Sequence, residues 1–296
     1  MSGITYHICA IDGGGTGCRA AIAHPDGTVL ARASGGPANY TTNPAQACAN
    51  VLNAVSQAVE QLGKDAPPLE AMVAHIGLAG IMNAQDAKTM AANLPFKSCT
   101  VSDDRLTSAI GALGRRDGVL LAIGTGSFAA VRRSEDIRFF GGWGLSVGDQ
   151  ASGAWLGRAV LEHSLLAEEG LVAASDLTRL IMARFDDLPA NVASFAGRAS
   201  PAEFATFAPF VISAAKDGDV VGVTLMTRGT AYLNAVLKAA NIRDTAPICL
   251  IGGVGPHYEA FLAPEHRARI QAPEGTALDG ALQLARKTLK DLEAQS

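Results

Sequence analysis

The feature that most constrains the fold of this chain is a glycine-rich turn between two apolar runs near the N-terminus. Residues 8–11 are apolar, Asp12 follows them, and a turn at residues 13–17 precedes a second apolar run at residues 20–23. Apolar runs bounded by turn residues predict a strand, a turn and a second strand. A turn rich in backbone N–H groups suits phosphate oxygens, and the acid before it suits hydrated Mg²⁺. An ordinary hairpin whose aspartate caps a turn is the open alternative.

The same plan recurs in the second half of the chain. Residues 119–123 form an apolar run, residues 124–127 form a Gly-Thr-Gly-Ser turn, and residues 128–131 form another apolar run. In both places a further turn and a third predicted strand follow, at residues 29–33 and 137–140. A unit that recurs about a hundred residues further along the chain predicts two lobes of similar design. Chance similarity between two three-stranded meanders is the alternative.

Strand and helix patterns alternate along the 296 residues, which predicts an α/β fold. The length is near the size at which a single core gives way to two domains. The N-terminal lobe is predicted to span residues 1–115 and to be completed by a C-terminal helix at residues 282–296. The C-terminal lobe is predicted to span residues 116–281.

Composition narrows the possible partners and the location. The formal net charge of −4 gives no electrostatic reason to expect nucleic acid or an acidic membrane as a partner. No run is long and apolar enough to span a bilayer, and Asp12 interrupts the short N-terminal apolar run, so no membrane span or signal peptide is predicted. The five cysteines are scattered and contain no Cys-x-x-Cys, which argues against a disulfide framework, a zinc ribbon and a local iron–sulfur site. The predicted location is a reducing cytoplasm.

Three predicted strands end in glycine turns, at residues 12–17, 124–127 and 252–255. Three such turns in two lobes indicate backbone contacts with one phosphate-bearing ligand. The sequence contains no Gly-x₄-Gly-Lys-Ser/Thr and no Gly-x-Gly-x-x-Gly, so a P-loop enzyme is excluded and a Rossmann dinucleotide site is disfavoured. It also lacks His-Glu-x-x-His, which disfavours a zinc protease.

The candidate acids are Asp12, Asp103, Asp104 and Asp149. Phosphoryl transfer needs positioning, charge neutralisation and one carboxylate that orients or deprotonates the acceptor hydroxyl. Asp103 and Asp104 follow a predicted strand and suit that role, but either can instead cap the next helix, and one can cap while the other acts. Asp149 lies in a dense glycine loop with Trp143, where the two could face a sugar or Asp149 could stabilise a turn.

Together these residues resemble the BadF/BadG/BcrA/BcrD ATPase-like family, and within it the N-acetylglucosamine and glucosamine kinases, in the actin/hexokinase/Hsp70 superfamily. The matching motifs occur in the family's order and span nearly the whole chain. They are residues 12–16, 36–39, 77–80, 102–104, 124–127, 141–149 and 252–254.

The resemblance implies a two-lobed actin-like ATPase fold of the ribonuclease H-like type, with duplicated βββαβαβα lobes and a cleft between them. It implies an ATP-dependent amino-sugar kinase that transfers the γ-phosphate to the 6-hydroxyl of N-acetylglucosamine or glucosamine, with Mg²⁺ as cofactor. The family's habit implies a homodimer. The alternative function within the same superfamily is an ATPase switch, of the activator type, that drives a partner protein.

The resemblance also implies roles for the motif residues. Asp12 would organise Mg²⁺, and Asp104, or Asp103 beside it, would act as the base on the sugar hydroxyl. The ATP-binding residues would be Gly13, Gly14, Gly15, Thr16, Gly124, Thr125, Gly126, Ser127, Gly252, Gly253 and Val254. The sugar-binding residues would be Asn39, Gly80, Asp104, Thr125, Trp143 and Asp149.

The sequence departs from the family pattern in two places. Where the family usually has Asn/Thr-Asp-Ala at the base, this chain has Asp103, Asp104 and Arg105, which leaves two acids as candidates. Gln150 stands where an acid is common, a difference that can alter the sugar or metal contacts of that loop. The activator branch needs a cysteine pair for its iron–sulfur cluster, and neither Cys99 nor Cys249 lies in such a context, so the kinase is preferred.

Overall fold

The computed structural model describes residues 6–294 and shows a mixed α/β chain with two sheets. The chain divides into two compact units: unit 1 is Met1–Arg116 with Pro273–Ser296, and unit 2 is Asp117–Ala272. Among the described residues, no helix is both long enough and apolar enough to cross a membrane.

Unit 1 is built on a five-stranded sheet in the order β3-β2-β1-β4-β5. The hairpin strands β1 and β2 are antiparallel, whereas β4 runs parallel to β1 and β5 parallel to β4. Parallel strands covered on both faces are typically near-continuous apolar runs, and β1 shows this at residues 8–11 and β4 shows it apart from His75 and Gly77. The strands are β1 (His7–Gly13), β2 (Cys18–Ala23), β3 (Val29–Gly35), β4 (Met72–Leu78) and β5 (Ser98–Asp103).

Three helices of unit 1 follow in the chain: α1 (Pro44–Leu62), α2 (Ala84–Ala92) and α3 (Asp104–Leu113). Helix α1 has a capped start, because the Asn43 side chain accepts the Gln46 N–H at 3.0 Å and Pro44 occupies the first turn. Helix α3 begins directly where β5 ends. The end of a strand and the start of a helix therefore meet at the two neighbouring aspartates.

Unit 2 contains a four-stranded sheet in the order β8-β7-β6-β9 and a larger set of helices. The strands are β6 (Gly118–Ile123), β7 (Ser127–Arg133), β8 (Asp136–Gly141) and β9 (Ile248–Ile251). The helices between β8 and β9 are α4 (Gly153–Glu168), α5 (Asp176–Ala183), α6 (Pro189–Ala196), α7 (Pro201–Ala205), α8 (Ala208–Lys216) and α9 (Val220–Ala240). Helix α10 (Pro264–Arg267) follows β9.

The last helix, α11 (Ala277–Ala294), returns to unit 1 and packs on β1 and α3. Its apolar side chains pack with those of β1, β2 and β4. Helices α3 and α11 approach each other closely, since a Cβ on Gly111 would lie 1.8 Å from the Thr276 carbonyl oxygen and one on Gly280 would lie 2.0 Å from that of Thr107. The C-terminal helix therefore supports the element that carries Asp104.

The two sheets share one topology, as the sequence repeat predicts. In each, two antiparallel pairs lead into a parallel pairing with the central strand, β1 with β4 and β6 with β9. The fifth position differs, because in unit 2 a single parallel bridge between Ile248 and Ile270 stands where unit 1 has β5.

Candidate functional site

The first glycine turn lies at the end of β1 and is fixed by backbone hydrogen bonds from two directions. The Gly14 N–H donates to the Gly17 carbonyl at 2.9 Å and closes the turn. The Ala38 N–H donates to the Gly14 carbonyl and the Ala79 N–H to the Gly13 carbonyl, both at 2.8 Å. The segments that follow β3 and β4 therefore hold the turn in place.

The glycines of this turn are required for two different reasons. A Cβ on Gly13 would lie 2.4 Å from Leu78 Cδ2, so packing within unit 1 requires glycine there. A Cβ on Gly14 or Gly15 would meet nothing within 4 Å, and neither residue has the left-handed backbone that favours glycine. The fold itself does not require these two glycines, and their open surface leaves room for a bound molecule.

Asp12 is the carboxylate beside this turn. It lies opposite Arg19 in the β1–β2 register, and an Arg19 guanidinium nitrogen is 4.0 Å from Asp12 Oδ2. Burial raises the pKa of Asp12, and the charge of Arg19 opposes this shift. A partly buried carboxylate with one distant counter-charge is stabilised by any cation that binds it.

Asp103 caps helix α3. Its Oδ1 accepts the Leu106 N–H at 3.1 Å, and its Oδ2 lies 2.7 Å from Arg105 Nη2 and 3.1 Å from Arg105 Nε. Both carboxylate oxygens of Asp103 therefore have structural partners, a cap and an ion pair.

Asp104 is the first residue of α3 and has a different environment. Burial, and then the negative charges of Asp103 and Asp12, raise the pKa of Asp104 from 3.8 to about 6, although its own N–H and the charge of Arg105 oppose the shift. A carboxylate with a pKa close to the working pH is suited to general base catalysis.

Asn39 and Gly80, which the sequence links only through the family resemblance, lie against each other in unit 1. The Thr41 hydroxyl donates to the Gly80 carbonyl at 2.7 Å, and Asn39 Oδ1 accepts the Thr42 N–H at 3.1 Å. Gly80 has a φ of +84°, and a Cβ there would lie 2.5 Å from Asn39 Oδ1. The turn therefore requires glycine both for its backbone and for its packing.

The second glycine turn, in unit 2, is fixed by the start of helix α4. The Gly153 N–H donates to the Gly124 carbonyl at 2.8 Å, and the Ala154 N–H donates to the Thr125 carbonyl at 3.1 Å. The Ser127 hydroxyl donates to the Gln150 carbonyl at 2.6 Å. The first residues of α4 and the segment just before it thus hold the turn in place, and Gly124 has open space where a Cβ would be.

The buried carboxylate of Asp149 holds this second turn by hydrogen bonds to backbone N–H groups. It is only 7% exposed, its backbone is left-handed with a φ of 57°, and its carboxylate accepts N–H groups of Ser127 and Gly144. Burial raises the pKa of Asp149, and those two hydrogen bonds oppose the shift. These contacts give Asp149 a turn-stabilising role, and its contact with a sugar stays a prediction. Trp143 is 63% exposed, so its side chain is open to a ligand.

The third glycine turn packs directly on the second. Gly252 has a φ of +85°, and a Cβ there would lie 2.3 Å from the Ile123 carbonyl oxygen. The Val254 N–H donates to that same carbonyl at 3.0 Å. Gly253, like Gly124, would place a Cβ in open space. Unit 2 therefore brings its two glycine turns together at the ends of β6 and β9.

The structure groups the predicted site residues within the units. Unit 1 contains Asp12, the first turn, Asn39, Gly80 and the Asp103–Asp104 pair; unit 2 contains the second and third turns, Trp143 and Asp149.

The sequence interpretation did not predict that the start of α4 holds the second glycine turn. It also missed His75, a buried histidine in β4 that the apolar strand pattern concealed. Within residues 6–294, no group of three or more His, Cys, Asp or Glu side chains could hold a metal ion.

Comparison with known proteins places this site in a family. The chain is 29% identical to the glucosamine kinase GspK of Vibrio cholerae over 96% of this chain and 97% of that protein. It is 34% identical to a Chromobacterium violaceum protein whose crystal structure is described provisionally as an N-acetylglucosamine kinase, with a TM-score of 0.87 over 95% of this chain and 99% of that one. A Streptomyces griseus ROK family glucokinase shares the fold at 19% identity, with a TM-score of 0.58 over 95% of this chain and 99% of that one.

These likenesses confirm the predicted α/β fold of two-lobed actin-like ATPases. Residues 10–265 match the BadF/BadG/BcrA/BcrD ATPase family, which is most of the chain and includes all three glycine turns. The protein therefore belongs to the BadF/BadG/BcrA/BcrD ATPase family.

Proposed function

We propose that this protein is an ATP-dependent amino-sugar kinase that transfers the γ-phosphoryl group of ATP to the 6-hydroxyl of glucosamine or N-acetylglucosamine. The observation that carries the proposal is Asp104, a strand-end carboxylate with a pKa raised to about 6 beside an Asp103 whose oxygens are both occupied. The similarity to proteins named as glucosamine and N-acetylglucosamine kinases supports this function over an activator-type ATPase.

In this proposal, Asp104 accepts the proton of the sugar hydroxyl as that oxygen attacks the γ-phosphorus, and the bond between that phosphorus and the bridging oxygen breaks so that ADP leaves. A base that is ionised at neutral pH and has a pKa near 6 can accept a proton in the transition state without being protonated beforehand. Asp103 keeps the first turn of α3 in place through its cap and its pairing with Arg105. Asn39, Gly80, Thr125, Trp143 and Asp149 are proposed to line the sugar side.

The three glycine turns are proposed to bind the nucleotide. Turns with exposed N–H groups and no side chains let phosphate oxygens approach the backbone. The proposed phosphate contacts are residues 13–16 and 124–127, and the proposed adenosine contacts are residues 252–254.

Asp12 fits a Mg²⁺ ion. Burial raises the pKa of its carboxyl, and its counter-charge, Arg19, is 4.0 Å away, so a bound cation would favour the ionised form. Magnesium in nucleotide sites is usually held by one or two carboxylates together with phosphates and waters. When bound, the ion neutralises charge on the transferring phosphoryl group.

The test is a coupled assay of ADP formation with a panel of hexoses and hexosamines. We expect ADP formation that depends on glucosamine or N-acetylglucosamine, and a product phosphorylated at the 6-hydroxyl. Equal ATP turnover with and without every sugar would contradict the proposal. Sugar-independent turnover that a partner protein stimulates would instead favour the ATPase switch.

The activity is expected to fall at acid pH. Since the proposed base has a pKa of about 6, log kcat/KM should decline with unit slope as the pH falls below about 6. The charge of Asp103 raises that pKa, so Asp103→Asn should move the acid limb to lower pH. A pH–rate profile of the two proteins checks this, and a limb that stays in place or moves upward would count against Asp104 as the titrating group.

A substitution at Gly14, where an added Cβ meets no other atom, should change ATP affinity without lowering stability. We expect Gly14→Ala to weaken ATP binding about tenfold, because a methyl group there occupies the space proposed for phosphate. Its thermal stability should stay the same or rise slightly. Alanine lowers the conformational entropy of the unfolded chain, which is worth about 0.4–1 kcal/mol of folding stability. The contrasting variant is Gly13→Ala in the same turn, which should lower the melting temperature through its clash with Leu78. Unchanged ATP affinity in Gly14→Ala would remove the first turn from the nucleotide site.

We further propose a homodimer located in the cytoplasm. The dimer rests on the family resemblance, and the location rests on the five scattered cysteines, which contain no Cys-x-x-Cys. Light scattering on the purified protein should give twice the chain mass of 30.4 kDa, and a mass of one chain would contradict the dimer. Cell fractionation should place the protein in the soluble fraction.

A further inference from the structure

His75 is a buried titratable side chain that the proposed reaction does not use. It lies in the middle of β4, is 5% exposed, and burial lowers its pKa to about 4, so the imidazole is neutral at physiological pH. Apolar residues fill the rest of this strand, apart from Gly77. A polar ring in such a place is stabilised only if its nitrogens have hydrogen-bond partners.

Both ring nitrogens have a hydroxyl partner on the neighbouring strand β5. His75 Nδ1 is 2.8 Å from Thr100 Oγ1, and His75 Nε2 is 3.1 Å from Ser102 Oγ. The register pairs His75 with Thr100 and Gly77 with Ser102, so the two hydroxyls project on the same side of the sheet as the imidazole. The Ser102 hydroxyl lies 2.9 Å from the Asp103 carbonyl oxygen.

Hydrogen-bond counting assigns a direction to this chain of contacts. Each hydroxyl has a single proton to donate, and the neutral imidazole has one N–H. If Ser102 donates to the Asp103 carbonyl at 2.9 Å, then Nε2–H must donate to Ser102, and Nδ1 must accept from Thr100. The opposite direction would leave Ser102 donating to the ring and Thr100 donating to the Ala74 carbonyl at the longer distance of 3.4 Å. The shorter set of contacts favours the Nε2–H tautomer.

The end of the chain of contacts is the peptide group that joins the two aspartates. The Asp103 carbonyl belongs to the same peptide plane as the Asp104 N–H and the Asp104 Cα, from which the carboxylate side chain extends. A hydrogen bond that holds the Asp103 carbonyl therefore also holds the backbone from which the Asp104 carboxylate extends.

We infer that His75 is a positioning residue for phosphoryl transfer, because its imidazole sets, through the Ser102 hydroxyl, the peptide between Asp103 and Asp104 and with it the direction of the Asp104 carboxylate. The inference rests on the proposed function, in which Asp104 is the base. A displacement of about 1 Å in a reacting group can lower a rate about 10²-fold, so an indirect contact of this kind can affect kcat strongly.

The kinetic test uses two amide variants of similar polarity. In His75→Gln the side-chain amide reaches the position of Nε2 and can donate to Ser102, whereas in His75→Asn it reaches only the position of Nδ1, near Thr100. We expect His75→Asn to lower kcat about 10- to 100-fold while the KM for ATP changes less than about twofold, and His75→Gln to stay within about threefold of the wild-type kcat. A purely structural role would affect both variants alike through stability.

A second set of variants covers the case in which His75→Asn does not fold. Ser102→Ala removes the hydroxyl that connects the ring to the backbone, and it should lower kcat by a similar factor. Where the double variant folds, it should lose no more activity than the larger single effect, because both changes break one chain of contacts. Losses that multiply, a wild-type kcat in Ser102→Ala, or a wild-type kcat in His75→Asn would overturn the inference.

The tautomer of His75 can be measured without an activity assay. Long-range ¹H–¹⁵N correlation spectra of the ring should show a protonated Nε2 and an unprotonated Nδ1 at neutral pH, and the reverse assignment would overturn the inference. Absence of sugar-dependent ADP formation in the wild-type protein would contradict the proposed function. An active wild type with an equally active His75→Asn would contradict the role of His75 alone.

Discussion

An Asp104→Asn variant is expected to lose about 10²- to 10⁴-fold in kcat, which is the range that general base catalysis contributes. The amide keeps the shape of the side chain but cannot accept a proton from the sugar hydroxyl. Because the proposed nucleotide contacts lie in other segments, ATP affinity should change little. Steady-state kinetics together with calorimetric measurement of ATP binding separate the two quantities.

The same substitution should make the protein more stable. Asp104 has a higher pKa in the folded chain than its ordinary value of 3.8, so above a pH of about 6 it is ionised in both states and the folded state bears the cost of that charge. A rise from 3.8 to about 6 corresponds to roughly 3 kcal/mol at neutral pH, which is the upper limit of the expected gain. An inactive variant with a higher melting temperature would show that Asp104 is retained for function at the expense of stability.

Asp103→Asn is the matched control, because asparagine is as good a helix cap as aspartate. It should keep most of the activity and the start of α3, while losing the charge that pairs with Arg105. The reverse result, an active Asp104→Asn and an inactive Asp103→Asn, would assign the base to Asp103. Full activity in both variants would place the base elsewhere.

The fold could be predicted because the strand patterns are local and repeated. The apolar runs at β1, β2, β6 and β7 each border a turn, and the repeat between the two halves indicates one topology used twice. The fifth strand position of unit 2 could not be predicted, since only Ile270 pairs there and one bridge has no sequence pattern. The packing of α11 on α3 could not be derived from periodicity either, because it depends on backbone contact at Gly111 and Gly280.

The candidate site could be located from the sequence, but its internal assignments could not. Asp103 and Asp104 are adjacent, and only the structure distinguishes the cap from the carboxylate whose pKa burial raises. For Asp149 the sequence leaves two roles open, and the burial of its carboxylate against Ser127 and Gly144 supports the turn-stabilising one. His75 gave no signal, because a single polar residue in an apolar strand does not disturb the strand pattern.

Asp12→Asn is expected to lower kcat roughly 10²-fold, equivalent to about 2.7 kcal/mol of transition-state stabilisation. The physical reason is the loss of the negative charge proposed to hold Mg²⁺ beside the first glycine turn. The variant should therefore need a higher Mg²⁺ concentration for half-maximal rate, whereas a general loss of structure would lower the rate equally at every Mg²⁺ concentration. A titration with Mg²⁺ at fixed ATP measures this shift.

Arg19→Gln is the control for this prediction, because it removes the counter-charge of Asp12 and leaves the carboxylate. Without the competing guanidinium the carboxylate should attract a cation more strongly, so half-maximal rate should be reached at a lower Mg²⁺ concentration than in the parent protein. The two variants are thus expected to shift the Mg²⁺ dependence in opposite directions. Shifts in the same direction, or a normal Mg²⁺ dependence in Asp12→Asn, would mean that Asp12 serves only as the partner of Arg19. The glycine turn beside it would then bind phosphate without a protein-held metal.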